Sequence, residues 1–439
     1  MLRNQPARVQ PGDTGGRVNT HLIEQAAASV AARPRLLPLT CAIQHYAWGG
    51  YHFIPALLGR ENRERQPCAE LWIGAHPVAP ATAIVDGIEA PLDQLLARVH
   101  QLTLPYLLKI LDVRAILSIQ AHPNRSQAEA GFERETAAGI PLSAPQRTYK
   151  DANHKPEACV ALSEFWMLHG FKTPEAIADT LETVPELRSL APRFREDLAT
   201  ATANTMARRA LVRWLYESVM TRPQAELDRA LAPLVGRLVP LYDDGALTKD
   251  TPDFWAARAA AQFPLPAGHL DRGIVSVYLL NLVRLLPGQG AYLPAGALHA
   301  YLEGVAVEIM ASSDNVLRGG LTPKHVDVAE LLKILTFDAG RPVILDPEAI
   351  SPAERVYRTP AREFELSRVD LSARQPYRRT VEDGADVLVV LEGEVRILGA
   401  GEAVTLQRGG TVLAPRGISY ELRAPRSATL YKASVPRSL

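Results

Sequence analysis

With 439 residues, 47% of them hydrophobic and 22% charged, the chain is too long for one ordinary core and too apolar to be disordered, so two or three domains are expected. Lysine plus arginine and aspartate plus glutamate number 48 each, a balance that gives no electrostatic case for nucleic acid or an anionic membrane surface. No apolar run is long enough to span a bilayer, and the three scattered cysteines, Cys41, Cys68 and Cys159, form neither a disulfide framework nor a thiolate zinc motif.

A reducing, cytoplasmic setting is therefore expected, and the N-terminus carries no charged head followed by a long apolar run of the secretory kind. Residues 1–36 read as a flexible N-terminal extension, with a short helix over 20–33. A first unit covers 37–173 and 263–340, where β-friendly runs such as 115–122 and 159–162 are punctuated by Gly, Pro and Asn. Between its two parts, 174–262 is rich in Ala, Leu, Arg and Glu and reads as a helical insertion. Leu227, Ala230, Leu231, Leu234 and Leu238 share one helical face, with Pro233 expected to kink or break it. Strands are expected again at 275–286 and 292–310, then a helix over 326–334. From 341 to 439 the pattern is all β, with strands at 387–391 and 395–397 joined by a turn.

One internal repeat stands out. Residues 288–299 (GQGAYLPAGALH) and 409–420 (GGTVLAPRGISY) share a strand, a Pro-x-Gly turn and a closing His299 or Tyr420. Such units recur in double-sheet barrels. The expected fold class is mainly β: tandem jelly-roll barrels plus an α-helical domain. The first barrel would bind metal and the second, 341–439, would be metal-free.

Gln120 and His122 sit two apart in a predicted strand and so face the same way. Glu157 follows the stiff Pro156, and His299 leaves the Pro-Ala-Gly turn. Singly, each has an ordinary reading: a polar pair at a strand end, a surface turn, a hydrogen-bonded core histidine. Together they make an N/O donor set that suits Zn²⁺, and also Mn²⁺, Fe²⁺, Co²⁺ or Ni²⁺.

Longer motifs add a resemblance. YKDANHKPE at 149–157 and HAYLEGVAVEIMASSDNVLRGGLTPK at 299–324 resemble signatures of the type I mannose-6-phosphate isomerases of the cupin superfamily. AELWIGAHP at 69–77, PYLLK at 105–109 and IQAHP at 119–123 match in the same order. Gly319-Gly320 stands where that family usually shows Ala-Gly, and Cys68 precedes the AELW motif. The resemblance implies a cupin-type fold and one zinc ion on Gln120, His122, Glu157 and His299. It also implies an active-site arginine at Arg318, and interconversion of mannose 6-phosphate and fructose 6-phosphate through a cis-enediol.

For that chemistry Arg318 is read as serving either the enediolate or the phosphate. Lys155 and Lys109 are candidate substrate contacts; Glu308, Asp314 and His154 are rival proton-transfer groups. Trp48 and Trp72 read as core or pocket wall. A small sugar phosphate is the expected partner of a monomer or small homo-oligomer. Two other classes compete: a cupin iron oxygenase, and a non-catalytic sugar-phosphate-binding protein.

Overall fold

The long strand His299–Ala311 organises the half of the molecule that carries the site. Its C-terminal part pairs with Tyr106–Val113 on one side and Glu157–Ala161 on the other. Its first residues pair instead with Phe165–Phe171 and with Ile119–Ala121. The change of partners occurs at Gly304, whose φ is 126°, and a Cβ there would lie 2.4 Å from the Glu164 carbonyl oxygen. Only glycine accepts both the dihedral and that approach. Leu317–Gly320 pairs with Ile119–Ala121, and Gly290–Leu293 with Glu157–Ala161. The result is a ten-stranded sheet.

The computed structural model describes residues 20–436 apart from 100, 101, 103, 202 and 203. Two further sheets, of nine and four strands, hold the C-terminal strands. Leu37–Thr40, Thr82–Val85 and Ile88–Pro91, which the sequence places in the first unit, extend the nine-stranded sheet beside Thr411–Pro415. Of the segment read as an extension, Thr20–Ala32 is a helix that buries Ile23, Ala26, Ala27 and Val30; residues 1–19 lie outside the described residues. Among the described residues no helix is long and apolar enough to cross a membrane.

Helices occupy most of 174–262. Thr173 caps the first of them, accepting a hydrogen bond from the Ala176 N–H, with Pro174 at the first helical position. Leu227, Leu231, Leu234 and Leu238 share one apolar core with Ile119, Ala121, Leu298 and Leu317. Each such side chain contributes about 1.5–3 kcal/mol on burial. The helical stretch is thus the backing on which the strands bearing Gln120, His299 and Arg318 rest.

Three expectations are corrected. Tandem cupin-type jelly-roll barrels are not the architecture found: the three sheets are open, the end strands of each order do not pair with one another, and the fold is a mixed α/β one. The repeated Pro-x-Gly turns do join strands, Gly290–Leu293 to His299–Ala311 and Thr411–Pro415 to Ser419–Arg423. A turn encodes a local reversal, whereas closure depends on tilt and stagger among distant strands. The strand expected from 275 begins only at Leu280, because Gly273–Leu279 is a fully buried α-helix; a short apolar run has no periodicity that separates the two. Helix Gln224–Asp243 continues through both Pro233 and Pro240, held by the leucine face described above.

Candidate metal centre

His122, directly after strand Ile119–Ala121, comes together with Glu157 and His299, each the first residue of its strand, with one ligand atom of each within 4.8 Å of the others. Their side chains are almost wholly shielded from solvent. Glu157 Oε2 lies 3.3 Å from His122 Nε2 and 3.3 Å from His299 Nε2. The remaining ring nitrogens are already engaged: His122 Nδ1 donates to the Asn315 carbonyl at 2.7 Å, and His299 Nδ1 to the Ala297 carbonyl at 3.2 Å. That fixes the proton on Nδ1 and leaves a lone pair on each Nε2. Three lone-pair atoms therefore face one another, buried and without a hydrogen-bond partner. Such an arrangement is repulsive on its own and is relieved by a cation at its centre, so the residues fit a divalent metal.

Electrostatics favour the ligand state of Glu157 and of His122. Burial pushes the Glu157 carboxyl up, but Lys155, at 3.0 Å from Oε1, holds it well below the usual carboxylate range. Burial keeps His122 neutral by lowering its pKa to about 4, against the opposing pull of Glu157. Behind the triad, Asn315 donates through Nδ2 to the Asp151 and Asn153 carbonyls, and Ser313 Oγ bonds Asp151. The signature segment is thereby tied to the loop that holds His122.

Gln120 stands opposite His299 in one ladder and opposite Arg318 in the other. Directly opposed residues share a sheet face, so the three point to the same side. Arg318 is half-buried, and among the described residues its side chain makes no ion pair or hydrogen bond; burial lowers its pKa. Lys324 and Lys150 lie near enough that the Arg318 charge adds to the burial that lowers each of them. Among the described residues Arg318 and Lys324 make no ion pair, while Lys150 Nζ donates to the Leu142 carbonyl at 2.5 Å and the Ala144 carbonyl at 3.4 Å.

The other expected residues are placed differently. Lys155 pairs with Glu157. Lys109 is buried between Glu308, at 3.2 Å, and Glu70, at 3.7 Å; Tyr301 donates to Glu308 at 2.8 Å. Burial favours the neutral lysine, but Glu70 and Glu308 outweigh it and keep Lys109 cationic. Burial raises Glu308 despite Lys109. Asp314 is exposed, and its hydrogen bond with His76 at 3.1 Å holds its pKa down. His154 turns to Glu363 of the C-terminal segment, 2.6 Å away.

Similarity to known proteins follows the same lines. Residues 36–174 match the model for the phosphomannose isomerase type I catalytic domain. The mannose-6-phosphate isomerase of Escherichia coli (strain K12) is 35% identical over 383 residues, covering 84% of this chain and 92% of that protein. The chain belongs to the type I phosphomannose isomerase family. Its human relative in the family, a mannose-6-phosphate isomerase, is 31% identical over 436 residues, covering 92% of this chain and 99% of that one. Among solved type I phosphomannose isomerases, the Salmonella typhimurium enzyme bound to its substrate f6p and zinc superposes with a TM-score of 0.79 at 30% identity. That match covers 92% of this chain and 100% of the other.

Several residues around this type I phosphomannose isomerase centre escaped the reading of the sequence. Lys324 and Asn315 lie inside the quoted 299–324 block, and His76 inside 69–77, so their motifs were visible but their roles were not. Tyr301 shares a strand face with His299 by the i, i+2 rule, a usable signal. Glu363 carries no local signal at all, being brought in by the C-terminal segment.

Proposed function

We propose that the chain interconverts mannose 6-phosphate and fructose 6-phosphate at a metal centre of His122, Glu157 and His299, with Gln120 as a fourth ligand and zinc as the metal. The single observation that carries this reading is the convergence of three buried lone-pair atoms, with Arg318 on the same sheet face through its register with Gln120. A divalent ion bound there supplies Lewis-acid polarisation of sugar oxygens during proton transfer between C1 and C2. Four protein ligands leave catalysis dependent on a further open coordination position.

The chain's own residues do the rest. Arg318, Lys324 and Lys150 hold the phosphate end, a planar fork and two ammonium groups meeting a dianion. Glu308 and Lys109, locked to each other and to Tyr301 and Glu70, shape and charge the inner wall. Asp314 is the proton-transfer group: it is accessible, kept ionised by His76, and lies within the Ser313–Asn315 segment that supports His122. His154, engaged with Glu363, serves to anchor the signature segment rather than to move protons.

The relative crystallised with f6p and zinc supports this choice of substrate and metal. A cytoplasmic site of action is in keeping with three free cysteines. A cupin oxygenase has no use for the cation cluster, and a mere binder has none for the ligand set. Proton NMR of mannose 6-phosphate incubated with the enzyme in D₂O tests the reaction: fructose 6-phosphate must appear, with deuterium at the position that exchanges in a cis-enediol. Absence of both from metal-loaded protein would overturn the proposal.

A further inference from the structure

Asp271 belongs to no motif of the sequence, yet it is only 5% exposed. Its Oδ1 accepts from the Gly273 N–H at 2.7 Å and the Leu321 N–H at 2.9 Å, and its Oδ2 from the Thr322 N–H at 3.4 Å. Leu321 and Thr322 open the loop between strand Leu317–Gly320, which carries Arg318, and helix Val328–Ile334. Lys324 stands on that loop, and its own N–H is accepted by Thr322 Oγ1 at 3.1 Å.

The loop is held in a shape it would not choose. Leu321 has φ 52°, a left-handed conformation that a bulky side chain adopts only when its surroundings demand it. The turn also presses against the segment bearing Asp271: a Cβ on Gly320 would sit 2.7 Å from the Gly273 Cα, and one on Gly273 2.8 Å from the Leu321 nitrogen. A carboxylate presents two acceptor-only oxygens to these three N–H groups, whereas an asparagine would turn donors toward some of them. Next to it, Arg272 donates to the Val219 carbonyl at the end of helix Thr205–Thr221, so the staple is itself fastened to the helical stretch.

We propose that Asp271 is a positioning residue for the phosphate grip. Its carboxylate holds the Leu321–Thr322 turn in its left-handed form, and that turn sets the spacing between Arg318 and Lys324. The inference rests on the reading of those cations as the phosphate site.

The test uses the full-length, zinc-loaded enzyme and inorganic phosphate as a competitive probe. Asp271→Asn is expected to raise both the KM for mannose 6-phosphate and the Ki for phosphate by about tenfold, with kcat changed by less than about threefold and zinc content unchanged. A merely structural role would not move KM and Ki in parallel while sparing kcat and metal. Lys324→Ala separates the two levels. If it raises both constants and a folded Asp271→Asn raises neither, the role of Asp271 is refuted and the phosphate site stands. If Lys324→Ala also changes neither, the phosphate site itself is wrong. Should Asp271→Asn fail to fold, the smaller Asp271→Ser, which withdraws the acceptors from the Leu321 and Thr322 N–H groups, must raise KM and Ki; unchanged values contradict the proposal.

Discussion

Lys109 Nζ lies 3.2 Å from Glu308 Oε2 inside the protein, both side chains shielded from solvent. The pair explains a substitution outcome that surface lysines do not share. Lys109→Met leaves Glu70 and Glu308 buried without their cation, which destabilises a fold by about 3–5 kcal/mol. It also raises the Glu308 pKa further, because the lysine is the main influence opposing burial there. Denaturant unfolding monitored by fluorescence should show the loss, and a midpoint equal to that of the parent contradicts the pairing.

His299→Ala removes one of three converging ligand atoms and leaves Glu157 and His122 facing each other. The variant is expected to lose bound metal and to fall by at least about a thousandfold in turnover, while circular dichroism stays close to that of the parent. Metal analysis of the purified variant checks this directly: a stoichiometric, active variant places the centre elsewhere.

Arg318→Ala should leave the metal in place. Because the side chain makes no ion pair with a described residue, its removal orphans nothing, and stability should change by less than about 0.5 kcal/mol. Phosphate binding should weaken by about ten- to a hundredfold. Unchanged kinetics would remove Arg318 from the site.

Metal-free protein should lose stability in acid. His122 and His169 are both held down to about 4, His122 by burial against the pull of Glu157, and His169 by burial and then by His299. The unfolded chain takes up these protons near pH ~6.5, whereas the folded chain resists until about 4. The folded state is therefore unpenalised above about pH 6.5 and loses up to about 1.4 kcal/mol per pH unit per imidazole as pH falls toward 4. Calorimetry of apo-protein between pH 7 and 4.5 should show a falling Tm; a level Tm contradicts the buried, neutral imidazoles.

The motifs around the centre were legible because they are local. The His-Lys-Pro-Glu segment and the 299–324 block each place several site residues on one short stretch, and the i, i+2 rule aligns Gln120 with His122. The helical stretch 174–262 announced itself through its composition, and the face of Leu227 to Leu238 through its period. What stayed hidden depends on distance in the chain. Nothing near 37–40 or 82–91 says that those strands join the C-terminal sheet. Open sheets and closed barrels share the same alternation, so the barrel expectation had no local signal to correct it. The ion pairing of Lys109 was not legible, because Glu70 and Glu308 approach it only through strand pairing. Asp271 and Glu363 act on segments far from them in sequence, through backbone amides and one imidazole.

The most direct test of the central claim is a coupled assay of mannose 6-phosphate conversion to fructose 6-phosphate, run on the enzyme as purified, after chelation, and after zinc is restored. The account predicts turnover that chelation abolishes and zinc returns. Turnover indifferent to complete metal removal, or none from fully loaded protein, would contradict a metal-assisted isomerase built on His122, Glu157 and His299.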